Sequence, residues 1–295
     1  MVELVIVVVS HNSADYLEGC LASIAEETQG AIFQTVVVDN ASTNGDFSGF
    51  LDRYPRLQVL RNETNVGFAA ACNRGINHCR ADYYLLLNPD TRILDGAIDR
   101  TLQFLRPRRN TGIVGCRVLN PDGSLQLACR RSIPRPSTAL YRFLRLSTLF
   151  PGSKRLGAYN LSFLHAREIQ EVEAVSGSFL MFRADVVKTA GYLDERFFLY
   201  GEDLDFCHRA RQKGWEVLYY PEATILHYKG RSARTNPGLS AYHYYRSMEI
   251  FYRKHYRSQV GSIQRACVVA GIRLLYLGHR LRRALLGDRK VESPF

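Results

Sequence analysis

The chain is predicted to be an α/β protein: one domain on an open, mostly parallel sheet, over residues 1–232, followed by a basic helical appendage over 233–295. Three observations predict this. Short β-branched runs alternate with segments of helical periodicity along residues 4–87. Polar residues fall at the carboxyl ends of successive strand candidates, the edge at which such sheets bind ligands. The net charge of +11 is concentrated, because from Lys229 onward there are 14 Lys and Arg against 3 Asp and Glu, and the preceding residues balance.

Leu4–Val9 is a run that suits a strand buried on both faces. Acidic Glu3 stands where a signal peptide would be positive, and Ser10-His11-Asn12 interrupts the run too early for a membrane span, so a core strand is expected. Ala14–Glu27 sets Tyr16, Leu17, Cys20, Leu21 and Ile24 at helical spacing behind Asn12 or Ser13 as a cap. Thr35–Val38 completes a β-α-β unit. A weaker strand at Leu57–Leu60, a helix at Phe68–His78 and a strand at Tyr83–Leu87 continue the alternation. Residues 130–171, rich in Arg, Pro, Ser and aromatics without periodicity, read as a long excursion over the surface. Val172–Arg183 is a strand candidate around the turn Ser176-Gly177-Ser178, followed by helices at Asp185–Ala190 and Glu202–Lys213 and a strand at Glu216–Tyr220. The seven cysteines are scattered and include no C-x-x-C pair, which favours neither disulfides nor structural zinc and fits a reducing cytoplasm.

Asp90 in LLLNPDT follows a buried strand, where a carboxylate can meet a divalent cation, but N-P-D is equally good turn chemistry. Asp39 in VVVDNAST is placed to accept from a nucleobase imide or a ribose hydroxyl, or to form an Asx turn. Gly67, between Asn65 and the small residues of the next helix, permits close approach of a phosphate or base, or tight packing. Glu202, Asp203 and Asp205 open a helix, where they gain from its dipole whether catalytic or merely capping. The apolar Phe197–Gly201 run before them implies a partly dry pocket, and such surroundings raise a carboxylate pKa toward that of a general base. His227, ending the Ala223–Leu226 run, is a metal ligand or a structural histidine.

The ordered segments VVVSHNSADYLEGCLASI, VVVDNAST, NVGFAAACNRGI, LLLNPDT, VSGSFLMFR, GYLDERFFLYGEDLDFCHRARQKGW and PEATILHYKGRS resemble the inverting family-2 glycosyltransferases of the GT-A fold. Within these, the chain is similar to bacterial rhamnosyltransferases of cell-wall and O-antigen assembly, over roughly residues 3–232. The resemblance implies that Ser10, Asn12 and Asp39 contact the nucleoside, with Asn65, Gly67 and Asn73 lining the same pocket. It makes Asp90 the metal-binding end of a D-x-D-type motif, for Mn²⁺ or Mg²⁺, with Asn88 in place of the first acid and His227 as a supporting ligand. Asp203 matches the base of the E-D motif beside Glu202, and Gly177 and Ser178 fall where the backbone approaches donor sugar or acceptor. The implied substrates are a nucleotide-diphosphate sugar, dTDP-rhamnose first and UDP- or GDP-sugars as alternatives, and a saccharide or lipid-linked acceptor.

Beyond Gly230, Val260, Ile263, Cys267, Ala270, Leu274, Leu277, Leu281 and Leu285 recur at spacings of three or four among arginines. This predicts an amphipathic helix on an anionic membrane surface, at the inner face of the cell membrane, with packing on the catalytic domain or on a second subunit of a homo-oligomer as the alternative. Nucleic-acid binding through the basic, aromatic tail is disfavoured, since the charge is confined there and the acidic sites lie elsewhere. A Rossmann dehydrogenase or a nucleotidylyltransferase is disfavoured by Ser10-His11-Asn12 standing where G-x-G-x-x-G belongs.

Overall fold

The opening apolar run forms β1 (Leu4–Ser10), with all seven residues buried. It has parallel neighbours on both sides, β2 (Phe33–Asp39) and β4 (Tyr83–Leu87), so both of its faces need apolar residues. β3 (Leu57–Arg61) extends this block from β2. The crossovers include α1 (Ala14–Glu27), α2 (Ser48–Arg53) and α3 (Phe68–His78), and α3 packs on β1 and β2. A Cβ at Gly75 would come within 2.5 Å of the Val7 side chain, which is why that helix position is glycine. These are features of a computed structural model, which describes residues 2–43, 47–135, 149–150, 152–228, 237–257 and 259–286.

Between residues 88 and 129, where the sequence pattern predicts no element, lie β5 (Thr91–Leu94), α4 (Ala97–Leu105) and the long strand β6 (Thr111–Leu119). β7 (Arg130–Arg131) pairs antiparallel with β9 (Ala174–Val175) in a small separate sheet. The candidate strand over Val172–Arg183 is thus split by the 176–178 turn, after which β10 (Phe179–Arg183) enters the main sheet. β10 runs antiparallel to both β4 and β6, whereas β6 is parallel to β11 (Glu216–His227). The order is β3-β2-β1-β4-β10-β6-β11-β5, with β8 (Gln170–Glu171) pairing onto β11. Two parallel blocks are therefore joined through one reversed strand. That reversal brings the turn leading into β10 to the edge where β1, β2 and β4 end. β11 continues past the expected Tyr220 to His227, and a register shift between Tyr220 and Thr224 accommodates Pro221.

Over 130–171 the described residues lie mostly at the surface, as expected, but the segment is anchored at its start. Arg130 is buried, and its guanidinium donates to the Leu164 and His165 carbonyls and to Gln170 Oε1. Residues 136–148 and 151 lie outside the described residues.

After α5 (Ala184–Ala190) and α6 (Glu202–Gln212) come two C-terminal helices of different character, α7 (Pro237–His255) and α8 (Ser262–Leu286). α7 joins the domain: Phe251 belongs to the core, Ser247 Oγ donates to the Leu199 carbonyl, and Lys254 pairs with Asp194 and Asp205. α8 packs on α7, burying Val269 and Ile272 and joining Arg273 to Glu249. The expected boundary at 232 falls outside the described residues. No helix among the described residues is long and apolar enough to cross a membrane.

Candidate active site

Parallel register aligns Ser10 with Asp39 at the carboxyl edge. Ser10 is buried, and its Oγ lies 2.9 Å from Ser13 Oγ. Asn12, at φ +52°, accepts on Oδ1 from the Thr43 amide and hydroxyl, and its own N–H donates to Ser42 Oγ. Asp39 Oδ1 accepts from the Ser42 N–H at 3.0 Å, which is the turn chemistry open to it in the sequence. Asn40 is the hub of this corner. Its Nδ2 donates to Asn65 Oδ1 and the Gly67 carbonyl, and its Oδ1 accepts from Asn62 Nδ2 and the Val66 N–H.

At Gly67 (φ +88°) the close approach is made by the chain itself. The Phe68 N–H donates to the Phe198 carbonyl at 2.7 Å, and a Cβ on Gly67 would lie 2.8 Å from that oxygen. Asn73 is likewise engaged by the chain: its Nδ2 donates to the Leu193 carbonyl and Glu195 Oε1, and its Oδ1 accepts from the Leu193 N–H.

Asn88 follows β4, and its N–H donates to the Ser178 carbonyl at 3.2 Å, so the 176–178 turn closes over the strand end. Antiparallel pairing of β5 with β11 sets Thr91 opposite His227 and brings together residues far apart in sequence. His227 Nε2 lies 3.1 Å from Asp90 Oδ1 and 3.2 Å from Asn88 Nδ2. Asp90 and His227 are both 8% exposed. The 3.1 Å separation is an ordinary imidazole–carboxylate contact, and an imidazole and a carboxylate side by side also suit a divalent cation. Among the described residues there is no group of three His, Cys, Asp or Glu that could hold a metal ion, so a cation here would draw on Asp90 and His227 alone from that set.

α6 starts after Tyr200 and Gly201, both at positive φ (+69° and +84°), and the turn they make buries its first residues. Its three acids do not act as one cluster, because 100° of rotation per residue sends Asp203 and Asp205 to opposite sides. Asp203 Oδ2 accepts from Arg131 Nη2 at 2.5 Å and from the Gly177 N–H at 3.0 Å, while Oδ1 accepts from the Leu204 N–H. Glu202 lies alongside, with Oε2 buried and without a hydrogen-bond partner. Burial, and then the neighbouring Asp203 charge, push the Glu202 carboxyl well above the usual carboxylate range. Asp205 instead faces α7. Burial alone would raise its pKa, but hydrogen bonds from His255, Lys254 and Arg209 bring it below the ordinary value. A Cβ on Gly177 would rest 3.6–3.7 Å from both Asp203 and Glu202, so the glycine leaves open the space in front of this pair.

A family model for glycosyl transferase family 2 matches residues 5–167, and one for glycosyl transferase family group 2 matches residues 155–286. The chain belongs to glycosyltransferase family 2. It is 29% identical over 253 residues to the N-acetylglucosaminyl-diphospho-decaprenol L-rhamnosyltransferase of Mycobacterium tuberculosis, covering 81% of each chain. It is 23% identical over 241 residues to rhamnosyltransferase WbbL of Escherichia coli K12, covering 78% of this chain and 85% of that one. Two solved structures share the GT-A fold. Staphylococcus aureus TarS 1-349 with UDP-GlcNAc has a TM-score of 0.59 at 16% identity, covering 92% of this chain and 71% of that one. GalNAc-T7 with UDP, GalNAc and Mn²⁺ has a TM-score of 0.58 at 15% identity, covering 94% and 55%.

In this glycosyltransferase the turn at 176–178 is bonded on one side to the Asn88 backbone, two residues before Asp90, and on the other to the Asp203 carboxylate. Nothing local in the sequence marks Arg131, which sits in an Arg-rich stretch where no spacing distinguishes it.

Proposed function

We propose that this glycosyltransferase moves a sugar from a nucleotide diphosphate to a hydroxyl of a saccharide acceptor with inversion at the anomeric carbon. Rhamnose from dTDP-rhamnose is the first choice of donor, and the setting is cell-envelope polysaccharide synthesis with a lipid-linked acceptor. One observation carries the mechanism: the 176–178 turn is bonded on one side to the Asn88–Asp90 segment and on the other to Asp203. A diphosphate near Asp90 and an acceptor near Asp203 would then lie on either side of one sugar. The donor choice is supported by the rhamnosyltransferase relatives.

The nucleoside would lie against the corner built by Ser10, Asn12, Asp39, Asn65 and Gly67. Asn73 would act through the loop it holds. Asp90 and His227 would hold a divalent ion, Mn²⁺ or Mg²⁺, which when bound stabilises the negative charge developing on the diphosphate as it leaves. Asp203 takes the proton from the acceptor hydroxyl on the opposite face, and a single displacement inverts the centre. Arg131 and the Gly177 N–H fix the carboxylate through Oδ2, while Oδ1 keeps a lone pair beyond the one used by Leu204. Glu202, with its raised pKa, is suited to hydrogen bonding with substrate as a neutral acid.

Membrane attachment is assigned to α8. Its exposed Ile263, Leu274, Leu277, Leu281 and Leu285 share one face, opposite buried Val269 and Ile272. By the same rotation Arg273 and Arg280 flank that stripe on one margin and Arg282 on the other, and α8 contains no acid. Such a face suits the anionic inner surface of the cell membrane.

The test is Asp203→Asn, assayed for transfer from a panel of sugar nucleotides and for nucleotide binding by thermal shift with and without Mn²⁺. Transfer should be abolished and metal-dependent stabilisation by the nucleotide retained. Normal turnover in the variant would overturn the base assignment.

A further inference from the structure

We infer that Gln126 is a positioning residue for the candidate metal pair: its amide sets the tautomer of His227 and aims the imidazole lone pair at the space beside Asp90. The inference rests on the reading of Asp90 and His227 as metal ligands, and adds to it the residue that makes one of them competent.

Gln126 is buried, and its backbone N–H is anchored to the Val118 carbonyl of β6. Its side chain makes two bonds to a single residue. Nε2 donates to the His227 carbonyl at 2.7 Å. That bond settles which end of the amide is oxygen, since the reverse orientation would set two oxygens against each other at the same distance. Oε1 is therefore the atom 2.9 Å from His227 Nδ1, and because it only accepts, Nδ1 must carry a proton. The lone pair of the neutral ring is then on Nε2. The Asn88 Nδ2 donor at 3.2 Å agrees with that assignment. Asp90 Oδ1 lies 3.1 Å from that nitrogen, so the two atoms that would hold a cation adjoin the same space. Gln126 thus presents nitrogen and oxygen together, as the outer partner of a metal-bound histidine does.

The experiment uses full-length protein, with Mn²⁺ and dTDP as the probe. In the unsubstituted protein without metal, at mildly alkaline pH, ¹⁵N-histidine NMR should show the His227 ring protonated on Nδ1, with the signal identified by its loss in His227→Ala. A ring protonated on Nε2 would overturn the proposal without any Gln126 variant. Gln126→Met, close in shape but without an acceptor, should weaken Mn²⁺ binding in the presence of dTDP by about 10- to 100-fold, read by calorimetry. Its metal-free dTDP binding should stay at the parent level. Gln126→Glu, which still accepts from Nδ1, should bind Mn²⁺ more tightly than Gln126→Met. If His227→Ala loses Mn²⁺ binding while Gln126→Met keeps it, the positioning role fails and the metal reading stands. If His227→Ala itself binds Mn²⁺ as the parent does, the metal reading fails.

Discussion

Arg131→Met tests how the candidate base is held. The Arg131 and Asp203 side chains are 12% and 11% exposed and meet at 2.5 Å. Removing the guanidinium leaves a buried carboxylate without its counter-charge, which costs about 3–5 kcal/mol when nothing else compensates. Here the Gly177 and Leu204 N–H groups still donate to Asp203, so the lower end of that range, about 3 kcal/mol, is expected. At about 2–4 °C per kcal/mol, the unfolding temperature should drop by about 6–12 °C. The fluorescence of Trp215, the only tryptophan, provides the signal. The control is Arg131→Met combined with Asp203→Asn, in which no unpaired charge remains. The double variant should be more stable than the sum of the two single losses implies. A loss below about 1 kcal/mol for Arg131→Met, or strict additivity in the double variant, would refute the buried-pair argument.

Glu202 gives a pH signature. Because its folded pKa is raised, its contribution is fully present below its ordinary value of 4.5 and is lost as pH rises toward the folded value. Over that window the unfolded chain has released a proton that the folded chain retains, so stability falls with pH at about 1.4 kcal/mol per unit from this group. Glu202→Gln should therefore gain unfolding temperature relative to the parent as pH increases above 4.5, and a pH-independent difference would exclude the raised pKa. For the membrane assignment, Leu274→Ser with Leu277→Ser and Leu281→Ser should leave thermal stability nearly unchanged, since all three side chains are exposed. The same variant should abolish co-sedimentation with phosphatidylglycerol vesicles; retained sedimentation would count against that face.

The β-α-β beginning was legible because β1, β2 and β4 lie between neighbours and must be apolar on both faces. β6 was not, although it is central, because Gly112 and Gly115 interrupt its run. A Cβ at Gly115 would come within 2.5 Å of Val175, and one at Gly112 within 2.8 Å of Trp215, so packing from distant residues dictates glycines that weaken a strand signal. The site divides in the same way. Asp90, His227 and Glu202-Asp203 were visible as polar residues at element ends. Their partners Arg131 and Gln126 were not, because the pairings join residues 72 and 101 positions apart and nothing local marks them. The three acids of α6 looked alike in sequence, yet their partners differ because α7 packs on one side of that helix only.

That last contact bears on where the catalytic domain ends. Asp205 has no exposed surface, and of its three side-chain partners Lys254 and His255 come from α7, leaving only Arg209 on its own helix. A chain ending at 232 would leave this carboxylate with less compensation two residues from Asp203, and would uncover Phe251. A chain cut after Arg257 keeps these contacts and gives up α8 together with its Arg273–Glu249 pair. The charge excess is therefore of two kinds. On α7, Lys254 and Arg253 are engaged with Asp194, Asp205 and Glu249, whereas Arg280 and Arg282 on α8 flank an apolar stripe. We therefore propose a division of the tail at the α7–α8 junction, with α7 supporting the helix that carries the proposed base and α8 left for the proposed membrane attachment.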